Sequence, residues 1–133
     1  MQQQTIETLR QALQESALPF AQQEPLASHT TFKIGGPAVF WCTPKNADQL
    51  RRTLALCRAN GVRLLATALR ADAHDLREET LSQTAVIIGS EGRGVCRELL
   101  DAADGTVIIP MQSHCESLNA AVAATIVMWQ MRR

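Results

Sequence analysis

The stretch VIIGSEGRGV, residues 86–95, runs from apolar residues into Gly89, Gly92 and Gly94, with Glu91 set among them. A glycine loop entered from a strand and left by a helix often cradles phosphates. The spacing here fits neither the dinucleotide fingerprint GxGxxG nor a phosphate loop ending in GK[ST]. Glu91 argues against both, because two like charges 4 Å apart at an effective dielectric of 20 cost roughly 4 kcal/mol. A carboxylate beside glycines suits a ligand that presents ammonium, hydroxyl or amide donors. The plainer alternative is a tight strand-to-helix turn in which Glu91 favours the helix N-terminus.

A second cluster follows. IPM (109–111) ends an apolar run, and ESLN (116–119) opens a helix. Ligands of open parallel sheets bind beyond the carboxyl ends of the strands. Two neighbouring strand-end loops and a helix start make such a pocket, with Glu91, Ser117 and Asn119 directed into it. Ser117 is a weak candidate nucleophile, since no histidine has the spacing of its base. Cys42, Cys57, Cys96 and Cys115 show no CxxC pairing and, with His29, His74 and His114, no zinc-ligand spacing, so no metal is expected.

The elements that must position these groups are legible in the pattern. Ile6, Leu9, Leu13 and Leu18 give a helical stripe ended by Pro19, and AQQEPLASHT (21–30) reads as a polar connector. TTFKIGGPAVFWCTP (30–44) predicts two short strands around Gly35-Gly36-Pro37. Asn46 caps a helix bearing Leu50, Leu54 and Cys57, closed by Asn60-Gly61. VRLLATAL (62–69), TAVIIG (84–89) and TVIIP (106–110) read as buried strands. A short helix is expected near Asp75–Glu79 and another from about Val95 to Ala103. From Ser117 the last helix is apolar on most sides, which demands burial in the core or against a second subunit. Alternating strands and helices give an α/β fold, a mostly parallel sheet with helices on both faces.

The 133 residues suffice for one core, and the formal net charge of zero excludes a strongly basic nucleic-acid clamp. No apolar run approaches the roughly 20 residues of a membrane span. With no targeting pattern at the N-terminus, a cytoplasmic protein without membrane contact is expected.

Residues 86–133 resemble the C-terminal half of the SpoU family, RNA ribose 2′-O-methyltransferases of the knotted SPOUT class that use S-adenosyl-L-methionine. Both C-terminal motifs of that family are present, IGSEGRG on its strand and IPM followed by ESLNAAVAA. The likeness covers roughly residues 62–133, because GVRLLATAL is similar to the preceding strand. It implies a SPOUT-like, trefoil-knotted C-terminal part, with Gly89, Ile109 and Leu118 lining the S-adenosylmethionine site. Glu91, Ser117 and Asn119 would be the polar active-site residues. The resemblance also implies an RNA partner (rRNA or tRNA) and a homodimer through the C-terminal helix.

One departure bears on turnover. The family's first motif, an asparagine followed six residues later by an arginine, belongs to an earlier part of the catalytic domain. Asn46 and Arg52 reproduce that spacing, but on the helix directly before VRLLATAL, where they read as a cap and a solvated side chain. Residues 24 to about 60, above all HTTFKIGGPA, instead resemble the N-terminus of UDP-N-acetylenolpyruvoylglucosamine reductases, without their flavin loop. The expected organisation is a reductase-like segment over 1–61 and a partial methyltransferase-like domain over 62–133. The expected function is S-adenosylmethionine binding with impaired methyl transfer to RNA. The alternatives are a non-catalytic remnant that binds RNA or dimerises, and a fragment of an FAD-dependent reductase.

Overall fold

The stripe of Ile6, Leu9 and Leu13 folds as helix α1 (Gln3–Glu15), burying Leu13, with Leu18 buried just beyond its end. The computed structural model describes residues 3–115 and 117–132, and the chain divides into two units, Met1–Asn60 and Gly61–Arg133.

In the first unit the strands differ from expectation. Strand β1 (Phe20–Pro25) lies in the stretch read as a polar connector, and β2 (Pro37–Cys42) is its antiparallel partner, from Phe20 opposite Cys42 to Pro25 opposite Pro37. Residues 30–34, read as strand, form none. The reason is that this sheet has only two strands. Backbone pairing with β2 holds β1, so Gln22, Gln23 and Glu24 need no apolar partner layer. The ribbon is fastened by Phe20 edge-on to Phe40 and by His29 stacked on Trp41 at 4.2 Å, while His29 Nε2 also meets Glu24 Oε1 at 2.8 Å. Helix α2 (Ala47–Ala59) starts where expected, with Asn46 Oδ1 accepting from the Gln49 amide at 2.9 Å. Gly61, at φ +74°, supplies the left-handed residue after it.

The second unit is built on a parallel sheet of order β4-β6-β3-β5. Its strands are β3 (Arg63–Thr67), β4 (His74–Asp75), β5 (Thr84–Ile87) and β6 (Gly105–Ile108). Leu64 and Ala66 are buried on one face of β3 and Leu65 on the other, so the central strand is covered on both sides. On the Leu65 face, Leu76, Leu81, Val107 and Val127 complete the core, with Val86, Ile109 and Ile126 packed against it. Helix α3 (Arg97–Ala102) is shorter than expected. Helix α4 (Ala120–Gln130) starts at the cap Asn119 and contributes Val127 to that core.

Where a short helix was expected near Asp75–Glu79, the chain makes the two-residue β4 and one 3-10 turn, Leu76–Glu78. Pairing of His74 and Asp75 with Val107 and Ile108 overrides the weak local preference. Glu79 pins this corner. Its carboxylate accepts from His74 Nδ1 at 2.8 Å and Arg63 Nη2 at 2.7 Å, while Gln130 at the end of α4 donates to the Arg77 carbonyl at 3.3 Å.

The His74 and Arg63 hydrogen bonds hold the Glu79 carboxyl below its usual 4.5. A lowered folded-state value means that the stabilisation is present above that range and is lost as pH falls through it. Glu79→Gln is therefore expected to cost about 1 kcal/mol at neutral pH. It should also flatten the acid limb of the stability profile below pH 4.5, read by urea denaturation at stepped pH.

Candidate functional site

Strand β3 lies between β5 and β6: from β3 the chain first forms the far edge strand β4, then crosses to β5 on the other side and returns to β6. Loops leaving adjacent strands on either side of such a reversal part from each other and open a crevice at the carboxyl ends. Two hydrogen bonds hold its floor. The Ala68 amide donates to the Val107 carbonyl at 3.1 Å, and Thr67 Oγ1 donates to the Ile87 carbonyl at 3.3 Å.

The crevice is a cleft of about 880 Å³, lined from residues 67–70, 88–95, 107–109 and 117–120, with Leu100, Met111 and Ala123. All six residues singled out from the sequence line it: Gly89, Glu91, Ile109, Ser117, Leu118 and Asn119. Its walls combine apolar side chains (Ile88, Val95, Ile109, Leu118) with polar groups at the rim. That size and mixture suit a small organic ligand with a flat apolar part and a few polar anchors.

The glycine loop has a defined local shape. The Gly94 amide donates back to the Ser90 carbonyl at 2.9 Å, and Gly92 and Gly94 turn the chain at φ +81° and +66°. At Gly89 the need is space. A Cβ there would fall 2.0 Å from the Gly94 carbonyl carbon and 2.3 Å from the Val95 nitrogen. The loop closes only because residue 89 has no side chain.

Asn119 joins this loop to α4. Its Oδ1 accepts from the Ala121 amide at 2.9 Å and the Val122 amide at 3.4 Å, capping the helix, while its Nδ2 donates to Glu91 Oε1. One amide thus fixes both the helix start and the carboxylate. With one oxygen of Glu91 engaged, the other is left to accept a hydrogen bond from a ligand.

Asn46 and Arg52 belong to the first unit and have structural partners. Asn46 is the α2 cap, and Arg52 meets Asp48 at 3.0 Å and the Ser16 carbonyl at 2.8 Å. Missed in the sequence were Thr67–Arg70, at the end of β3, and Arg93 within the glycine loop. The signal for the first was available, because β3 also ends in the same crevice as its neighbours. Among the described residues no group of three His, Cys, Asp or Glu side chains could hold a metal ion.

The comparisons with known proteins point to one family. A model of the SpoU rRNA Methylase family matches residues 11–129. The match reaches into the first unit, beyond the 62–133 stretch that carries the motifs. The tRNA (guanosine(18)-2′-O)-methyltransferase of Thermus thermophilus is 34% identical over 118 residues, covering 81% of this chain and 61% of that protein. The 23S rRNA (guanosine(2553)-2′-O)-methyltransferase RlmP of Bacillus subtilis is 34% identical over 96 residues, covering 72% of this chain and 36% of that one. Among solved structures, the Aquifex aeolicus TrmH/SpoU tRNA modifying enzyme superposes with a TM-score of 0.57 at 30% identity, covering 62% of this chain and 43% of that chain. The SpoU methyltransferase AviRb of Streptomyces viridochromogenes, in complex with the cofactor AdoMet, gives 0.56 at 29% identity, covering 65% and 35%. The chain therefore spans less than two thirds of the length of these relatives.

Proposed function

The chain belongs to the SpoU rRNA Methylase family, and from that premise we propose that its cleft binds S-adenosyl-L-methionine and an RNA ribose, with methyl transfer to a 2′-hydroxyl as the chemistry it is built for. The observation that carries this reading is the Asn119–Glu91 link over a cleft of nucleoside size. The cofactor fits the donor set: apolar Ile109 and Leu118 for its base, strand-end backbone at Gly89 for its polar edge, and a carboxylate within reach of its cationic parts. When bound, it supplies an electrophilic methyl group on sulfur.

The protein's part is positioning and charge. Asn119 turns Glu91 so that its second oxygen accepts from the ribose hydroxyl, and Ser117 lies beside them on the same wall. As the new O–CH₃ bond forms and the S–CH₃ bond breaks, the hydroxyl proton leaves along the hydrogen bond to Glu91. Fixing the acceptor in line with the donor methyl is the main source of acceleration in such a site. Because Asn46 and Arg52, which reproduce the spacing of the asparagine-arginine motif, serve as a helix cap and an ion-pair partner in the first unit, turnover is expected to be about 10²- to 10⁴-fold below that of a complete site. Radiolabelled methyl transfer to tRNA and rRNA transcripts tests this, and donor binding with no transfer at all would favour a non-catalytic remnant.

We also propose a homodimer through α4. Val122, Met128 and Trp129 are exposed on this helix and Met131 just beyond its end, Trp129 at 72% and Met128 at 59%, more apolar surface than a solvated helix carries. Wild type should sediment as a dimer and Trp129→Glu as a monomer; a monomeric wild type at micromolar concentration contradicts this.

A further inference from the structure

Among the described residues the cleft is lined by three charged side chains, Arg70, Glu91 and Arg93. Two of them are engaged. Glu91 accepts from Asn119, and Arg70 forms a fork with Asp72, Nε to Oδ1 at 3.0 Å and Nη2 to Oδ2 at 3.3 Å. Arg93 has no ion-pair or hydrogen-bonding partner among the described residues, and it is exposed. It projects from the tip of the glycine loop between Gly92 and Gly94, where the hydrogen bond from the Gly94 amide to the Ser90 carbonyl fixes the turn. A guanidinium unpaired among the described residues thus stands two residues from the carboxylate assigned to the ribose hydroxyl.

We infer that Arg93 holds a phosphodiester of the substrate RNA, the one attached at the ribose carbon next to the acceptor hydroxyl. This rests on the reading of the cleft proposed above. A 2′-hydroxyl and its 3′-phosphodiester occupy neighbouring carbons, so a site that receives one must meet the charge of the other. Glu91 facing that pair alone would repel the phosphate. A guanidinium on the same loop neutralises it and grips two of its oxygens at once, which an ammonium does not do. With zero net charge on the whole chain, a local contact of this kind has to supply the attraction that overall charge does not. Arg70 is the weaker candidate, since engaging a phosphate would break its fork with Asp72.

The test is the salt dependence of binding to a fluorescein-labelled unmodified tRNA transcript, followed by anisotropy between about 50 and 200 mM salt. Arg93→Gln is expected to weaken binding roughly tenfold at low salt and to reduce the log–log salt slope by about 1. Arg93→Lys should keep most of the slope while losing part of the affinity. Arg97→Gln controls for bulk charge: it removes the same charge from an exposed residue outside the cleft lining, loosely paired with Asp101 at 3.8 Å. An unchanged slope in Arg93→Gln, or an equal loss in Arg97→Gln, overturns the assignment. So does weakened S-adenosylmethionine binding with RNA binding intact, which would give Arg93 to the cofactor's carboxylate. Wild-type cofactor binding, measured in the same buffer, separates the two levels. If it is present while the RNA slope ignores Arg93, only this inference fails; if it is absent, the reading of the cleft fails.

Discussion

Gly89→Ala is expected to abolish cofactor binding and to destabilise the second unit by at least about 3 kcal/mol. The methyl group is small, but it meets main-chain atoms of Gly94 and Val95 at 2.0 and 2.3 Å, and these cannot swing aside as a side chain would. The loop must open, which breaks the Gly94–Ser90 hydrogen bond and moves Glu91 away from Asn119. Gly92→Ala is the internal comparison. Nothing lies within 4 Å of a Cβ there, so its cost is only that of a positive φ, about 1 kcal/mol. Denaturant unfolding and titration calorimetry on both variants check this, and near-equal behaviour of the two would contradict the crossing of residue 89 with the loop end.

Asn119→Asp is expected to separate helix capping from carboxylate positioning. Aspartate caps as well as asparagine, so Ala121 and Val122 keep their acceptor and the melting temperature should stay within a few degrees of wild type. The donor to Glu91, however, becomes a second carboxylate. Two such charges at about 4 Å repel by roughly 4 kcal/mol at an effective dielectric of 20. Glu91 must then turn away or take up a proton, and methyl transfer or cofactor affinity should fall by at least about 100-fold at neutral pH. Asn119→Ala should instead lose about 1 kcal/mol of stability through the cap. If Asn119→Asp bound the cofactor as wild type does, the hydrogen bond to Glu91 would be incidental.

The parts of this architecture that were readable in the sequence are those where local preference and tertiary demand agree. Val86, Ile87, Val107 and Ile108 are β-branched residues in strands paired to the central β3, and the strands of a parallel sheet leave that signature. The six cleft residues were legible through their motifs, because loops that close on a glycine and a helix cap tolerate few alternatives. Strand β1 was not legible: between Phe20 and Pro25 it has no β-branched residue, and it is defined by a partner twelve or more residues away. Strand β4 is two residues long and exists only as an edge on β6. Helix α4 showed its apolarity but not its burial, since only Val127 is buried within one chain. Arg93 was passed over for a similar reason. Its significance lies in having no partner among the described residues, which only coordinates reveal.

Titration calorimetry of the wild-type protein with S-adenosyl-L-methionine tests the central claim most directly. Saturable heat at one site per chain, reduced or lost in Gly89→Ala and retained in a surface control such as Arg97→Gln, is the predicted result. No heat at millimolar ligand, from protein that unfolds cooperatively, would contradict it.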